Sequence, residues 1–260
     1  MTAMALAAAA EAAQDDYRRM SSLRRMGAGE LHRLLSGPPE TAAPWVETAA
    51  RFGLRAAQLR LGQMHLDGAG VDRDETAALA WFLRAARKGA PDAMNMVGRC
   101  HENGWGTPVD EPAAADWYRR SAEAGHDWGE YNYANMLFDG RGVRPDRRQA
   151  AAFYRRAAEQ GHARAMNLLA RCHEEGWGVP QDRHEAWKWY HRSAQGGYFR
   201  AQFNYAMVLA GQGHIDRALD WFEQACRAAT PDSLPGMIVR LISQPDRRLA
   251  ALGRRFAGVA

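Results

Sequence analysis

The sequence predicts an all-α protein, an α/α solenoid of stacked helix-turn-helix repeats, and three observations carry that prediction. An aromatic column recurs every 36 residues, in Trp45, Trp81, Trp117, Phe153 and Trp189, with Trp221 arriving early, at 32. Small residues keep the same step, in Ala78, Ala114, Ala150 and Ala186 and in Gly89, Gly125, Gly161 and Gly197. A Gly-x-Gly pair and then an aspartate precede the aromatic helix: Gly68 and Gly70 before Asp74, Gly104 and Gly106 before Asp110, Gly140 and Gly142 before Asp146, Gly176 and Gly178 before Asp182.

Taken in order, residues 1–27 open on an alanine-rich run that ends at Glu11, Asp15 and Asp16, with no Lys or Arg before Arg18. That pattern lacks the basic start and the length of a secretory signal, so a helical arm is expected. Residues 28–54 form a degenerate first repeat, because Trp45, Ala49, Ala50 and Gly53 each stand 36 before their counterparts, and its inter-helix turn shrinks to about Ser36 to Pro39. Full repeats follow at 55–90, 91–126, 127–162, 163–198 and 199–229, the last shortened around Gly211-Gln212-Gly213. In residues 230–260, Pro231 and Pro235 break the period, and Leu249, Leu252 and Phe256 form one apolar stripe beside Arg247, Arg248, Arg254 and Arg255. Capping helices over the end of the stack are expected there, with a basic membrane- or partner-binding helix as the alternative. A longer period of 72 is also present, since AMNMVGRCHENGWG (93–106) returns as AMNLLARCHEEGWG (165–178).

Each column has a physical reason. The aspartates stand just before a helical pattern, where a carboxylate accepts from free amides and meets the positive end of the helix dipole. Gln149 and Glu185, three residues on, have the spacing of a reciprocal capping box. Ala78, Trp81, Phe82, Ala85 and Ala86 share one helix face. The terminal glycines and the Gly-x-Gly pairs suit left-handed backbone.

The run of a small residue, Leu61-Gly62, Val97-Gly98 or Leu169-Ala170, then Gly-x-Gly, Asp, Ala, Trp-Tyr, Ala-Ala and Gly resembles the Sel1-like repeat family, a branch of the tetratricopeptide superfamily. The match runs over about 55 to 229, and His65, His101 and His173 stand where that family usually has Tyr in the first helix. The resemblance implies a right-handed superhelix and a non-catalytic adaptor or scaffold for protein partners. Cysteine-rich secreted relatives are linked to penicillin binding and β-lactam hydrolysis, so a cell-wall or β-lactam-related enzyme is the alternative. Their paired cysteines have no counterpart among Cys100, Cys172 and Cys226.

The chemistry-bearing motifs point the same way. No phosphate loop, GxSxG or HExxH is present, and His184-Glu185 meets Lys188 where a second histidine would stand. Arg-Cys-His-Glu occurs at 99–102 and 171–174, but adjacent helical residues point about 100° apart and would not converge on one ion. No catalytic residue, metal or cofactor is therefore expected. The formal charge of +4 is carried almost wholly by Arg, with Lys88 and Lys188 the lysines, and acids are interspersed. That balance suits a protein or peptide partner of acidic character better than nucleic acid or a membrane. Unpaired cysteines favour a reducing cytoplasm.

A docking surface is also predicted. If Val97, Gly98 and His101 face the stack, then Asn95, Arg99 and Glu102 lie opposite, on the inner face, as do Tyr131, Asn135 and Phe138 and then Asn167, Arg171 and Glu174, with Asn132 and Asn204 beside the column. Asn pairs with peptide backbone and Arg grips carboxylates. The competing expectation is a solvated face with Arg–Glu pairs within each helix. Trp105 and Trp177, each between two glycines, are possible edge contacts.

Overall fold

The computed structural model describes residues 3–258, which contain fifteen α-helices and no strand. The chain divides into two units, Met1–Gly129 and Glu130–Ala260. The first holds α1 (Ala3–Leu23), α2 (Ala28–Ser36), α3 (Pro39–Arg51), α4 (Arg55–Asp67), α5 (Glu75–Ala86), α6 (Pro91–Asn103) and α7 (Glu111–Glu123). After α8 (Asp127–Asp139), the second holds α9 (Arg147–Glu159), α10 (Ala163–Glu175), α11 (Arg183–Gln195), α12 (Phe199–Gly211), α13 (Ile215–Ala228), α14 (Leu234–Ile242) and α15 (Arg247–Ala257). Antiparallel pairs α4/α5, α6/α7, α10/α11 and α12/α13 pack tightly, and each pair leans on the next through α5/α6 or α11/α12. The chain is thus an all-α, α/α solenoid.

The aspartates do cap: the Asp74, Asp110 and Asp146 carboxylates accept from Ala77, Ala113 and Gln149 N–H, and Asp182 accepts from both His184 and Glu185. The reciprocal half of the capping box does not form. The amides of Asp146 and Asp182 already donate to the Leu137 and His173 carbonyls, at 2.9 and 2.8 Å, and Glu185 instead accepts from Lys188.

The glycine columns have a steric cause. Gly70, Gly106 and Gly178 adopt positive φ, and a Cβ at any of them would overlap the backbone of the first turn of an earlier helix, at Pro39–Glu40, Glu75–Thr76 and Arg147–Arg148 respectively. Gly98 is crossed by the Tyr118 ring, which would lie 2.7 Å from a Cβ there.

The most buried aromatic is the residue after the Trp column: Phe82, Tyr118, Tyr154, Tyr190 and Phe222 are all at most 2% exposed. Trp81, Trp117 and Phe153 are half-buried, and an arginine three residues on lies over each ring, Arg84 at 4.4 Å, Arg120 at 4.8 Å and Arg156 at 5.1 Å. Arg192 covers Trp189 at 4.6 Å in the same way. This shields the aromatic edge with a cation held by the ring quadrupole.

At the first end, α1 packs on α3, where Asp16 accepts from Thr48 at 2.7 Å and from Arg51 at 2.6 Å. At the other, the Leu249 and Leu252 stripe is buried, while Arg248 and Arg255 reach Asp216 and Glu223 on α13. The apolar face of α15 is therefore turned toward α13 and α14. No helix among the described residues is long and apolar enough to cross a membrane.

Cys100, Cys172 and Cys226 are buried thiols, and burial pushes them up to about 12, about 11 and about 11. Alkylation of the native protein near pH 7.5, followed by mass spectrometry, is expected to leave all three unmodified, and alkylation in denaturant to modify all three. Rapid native labelling would contradict this burial.

Candidate functional site

A groove of about 660 Å³ lies in the second unit. Tyr131, Asn167, Arg171, Glu174 and Asn204 line it, which brings together five of the residues that the sequence singles out. Tyr131 is held by stacking on His162, with ring centroids 4.8 Å apart. The Asn204 amide donates to Asn167 Oδ1 at 3.0 Å, tying α12 to α10 across the floor.

The other expected surface residues are placed differently. Asn95 is buried, at 6% exposure, and Asn167, although it lines the groove, is itself only 5% exposed. The reason is that the first helix of a pair packs on two neighbours, its own partner and the preceding repeat: Ala93, Asn95, Met96, Val97, Gly98 and Cys100 of α6 are all buried. The glutamates of these helices also reach across to the paired helix. Glu102 accepts the Tyr118 hydroxyl at 2.5 Å and Glu174 the Tyr190 hydroxyl at 2.7 Å, so both carboxylates bind a helix to its partner. Asn135 takes the equivalent bond from Tyr154, at 2.7 Å, and Asn132 is half-buried beside it.

Arg99 and Arg171 lie instead over the turn tryptophans. Arg99 is 5.0 Å from the Trp105 ring and Arg171 5.1 Å from Trp177. Trp177 further meets Phe138 edge-on at 5.2 Å and Arg147 at 5.8 Å. The indoles are thus half-buried packing elements, and within each unit the arginine and its turn tryptophan share a local surface.

Sequence reasoning missed most of the groove. Arg164, Tyr198, Phe199, Arg200 and Phe203 form much of its wall, and α14 closes it with Ser233, Met237 and Arg240. The signal for two of these was available, since Arg164 and Arg200 are themselves 36 apart. The guanidinium groups lie over aromatic faces: Arg164 over Tyr198 at 6.0 Å, Arg200 over Phe199 at 5.7 Å and Arg240 over Phe203 at 5.1 Å. The lining holds four arginines against Glu174, Glu175 and Asp232, and Glu174 is already engaged by Tyr190. Burial raises the Tyr198 and Tyr190 phenols, so both remain neutral donors at neutral pH. Chemically, the arrangement offers flat apolar faces together with planar cation edges suited to carboxylates. Among the described residues, no three His, Cys, Asp or Glu side chains come together where a metal could be held.

A solenoid of capped helix pairs with a lined groove is the architecture of repeat proteins that contact neighbours along one chain. The Sel1 repeat family model matches residues 55–89, 91–126, 129–162, 163–198 and 200–229, and the chain belongs to that family. Among solved structures, the chain is similar to a Sel1 repeat protein from Oxalobacter formigenes, with 26% identity over 87% of this chain and 95% of that one and a TM-score of 0.76. It shares a fold with c5321, a protective antigen present in uropathogenic Escherichia coli strains, at 24% identity over 94% of this chain and 64% of that one, TM-score 0.53. It also shares a fold with immunity protein Pa5087 from Pseudomonas aeruginosa, at 16% identity, 79% and 80% coverage and a TM-score of 0.51. No curated protein matches the chain.

Proposed function

We propose that this protein is a non-catalytic scaffold, acting in the cytoplasm, whose second unit binds an extended segment of a protein partner in the groove between α10, α12 and α14. The observation that carries the proposal is the set of arginines laid over aromatic rings along that groove. A ring-stacked guanidinium loses little further freedom on gripping a carboxylate, and Tyr198, Phe199 and Phe203 supply area for an apolar side chain. The preferred segment is acidic with an aromatic or aliphatic residue nearby. Arg99, in the first unit, is not part of this groove; the cations that accompany Arg171 are Arg164, Arg200 and Arg240.

A display library of random peptides selected against the full chain tests this. Enriched peptides should carry Asp or Glu beside an apolar residue, and Arg171→Ala with Arg200→Ala should weaken a selected peptide by about 100-fold in fluorescence anisotropy, at two charged hydrogen bonds of roughly 1.5 kcal/mol or more each. Helicity and melting temperature should stay close to the parent. Selection of basic peptides, or undiminished binding by the double variant, would remove the groove from the mechanism.

A further inference from the structure

A second cavity of the same unit, about 510 Å³, shares no lining residue with the groove. Its walls are Arg183, His184 and Trp187 of α11, Leu209 of α12, Gln212 and His214 of the following turn, and Arg217 of α13. The lining contains two guanidinium groups and two imidazoles and no carboxylate.

The acids adjacent in sequence to these residues are engaged elsewhere, and Asp220, one turn after Arg217 on α13, is exposed and lies outside the lining. Asp182 caps α11, Glu185 accepts from Lys188 at 2.7 Å, and Asp216 accepts from Arg248 at 2.7 Å. Among the described residues, Arg183 has no ion pair and Arg217 meets only the Tyr205 hydroxyl, at 3.4 Å. The floor is fixed. Trp187 is stacked between His184, at 5.9 Å and 28°, and His191, at 6.2 Å and 9°, and His191 rests on Tyr205 at 4.8 Å. The Trp187 indole nitrogen is buried and donates to nothing. Two guanidinium groups in one wall with no acid in the lining give the cavity a local excess of positive charge, which favours an anion.

From this geometry we infer that the cavity is a binding site for a phosphate dianion, free or as a monoester. A single carboxylate has one charge and two oxygens, whereas two guanidinium forks carry two charges and, together with the imidazole ring nitrogens, offer more donors than it can use. A phosphate group carries about 1.5 to 2 negative charges near pH 7 and has three or more acceptor oxygens, which fits that donor set. The inference does not depend on the peptide groove.

The test is isothermal titration calorimetry of the full chain with inorganic phosphate, glycerol 3-phosphate and, as a comparison anion, acetate. Saturable binding of phosphate but not acetate is expected, with tighter binding of glycerol 3-phosphate assigning the monoester as the ligand. Arg183→Gln with Arg217→Gln should weaken it about 100-fold. Both arginines are exposed, so the fold should survive; Gln212→Glu, also at an exposed position, supplies an independent block by adding a carboxylate to the wall. Arg171→Ala with Arg200→Ala, in the other groove, should leave phosphate binding unchanged. Absence of saturable heat, an equal response to acetate, retained binding in Arg183→Gln/Arg217→Gln or in Gln212→Glu, or loss in the groove variant would each overturn the assignment.

Discussion

Replacing Gly178 with alanine should destabilise the second unit by roughly 3–5 kcal/mol, combining the cost of a strained dihedral with that of an overfilled site. Gly178 has φ +71°, and an added Cβ would overlap the Arg147 carbonyl and sit 2.7 Å from Arg148 N. Those atoms belong to the first turn of α9, held by the Asp146 cap, so they cannot swing aside as a side-chain end would. Gly197→Ala provides the control. Its φ is +81°, yet nothing lies within 4 Å of its Cβ, so only the left-handed penalty of about 1–2 kcal/mol applies. For a chain of this size the difference corresponds to a melting temperature lower by on the order of 10 °C for Gly178→Ala. Equal losses for the two variants, measured by thermal melting and by hydrogen exchange over α9 and α11, would mean that the close approach of the two turns is not what requires glycine.

That comparison also shows what the sequence made legible. Both glycines repeat every 36 residues, and both were readable as left-handed positions; that one glycine also lies under another helix depends on a neighbour, Arg147, 31 residues away and leaves no local mark. The caps were legible because an aspartate and the amides it meets are three residues apart. The inner surface was legible only in part. A helical wheel assigns one buried face, but α6 and α10 bury arcs against two neighbours, and the wider arc takes in Asn95 and Asn167. Glu102 and Glu174 read as surface charges until the tyrosine from the second helix is brought to them. The α14 wall of the groove could not be inferred at all, since residues 230–260 stand outside the period.

The remaining large effect is expected at Glu130, which is 1% exposed and accepts from Arg156 at 2.6 Å and from Gln160 at 2.9 Å. A buried carboxylate is costly unless charge and hydrogen bonds compensate it, and removing its cation typically costs 3–5 kcal/mol. Arg156 is 47% exposed, so water screens part of the attraction, and Arg156→Ala should cost about 2–3 kcal/mol, including the contact with Phe153. The repeat itself indicates how to relieve the loss. At the same register 72 residues away on either side stand Gln58 and Gln202, both buried, whose amides donate to the Ala50 and Ala194 carbonyls at 3.0 and 3.5 Å. A neutral amide of the same shape is therefore compatible with the position. Glu130→Gln added to Arg156→Ala should recover at least about 1 kcal/mol, because no charge is then left in the interior. Urea denaturation followed by circular dichroism on the four chains of this double-mutant cycle measures the coupling. If the double variant is as unstable as the sum of the two single changes, the Arg156 guanidinium is not what holds the Glu130 charge in place.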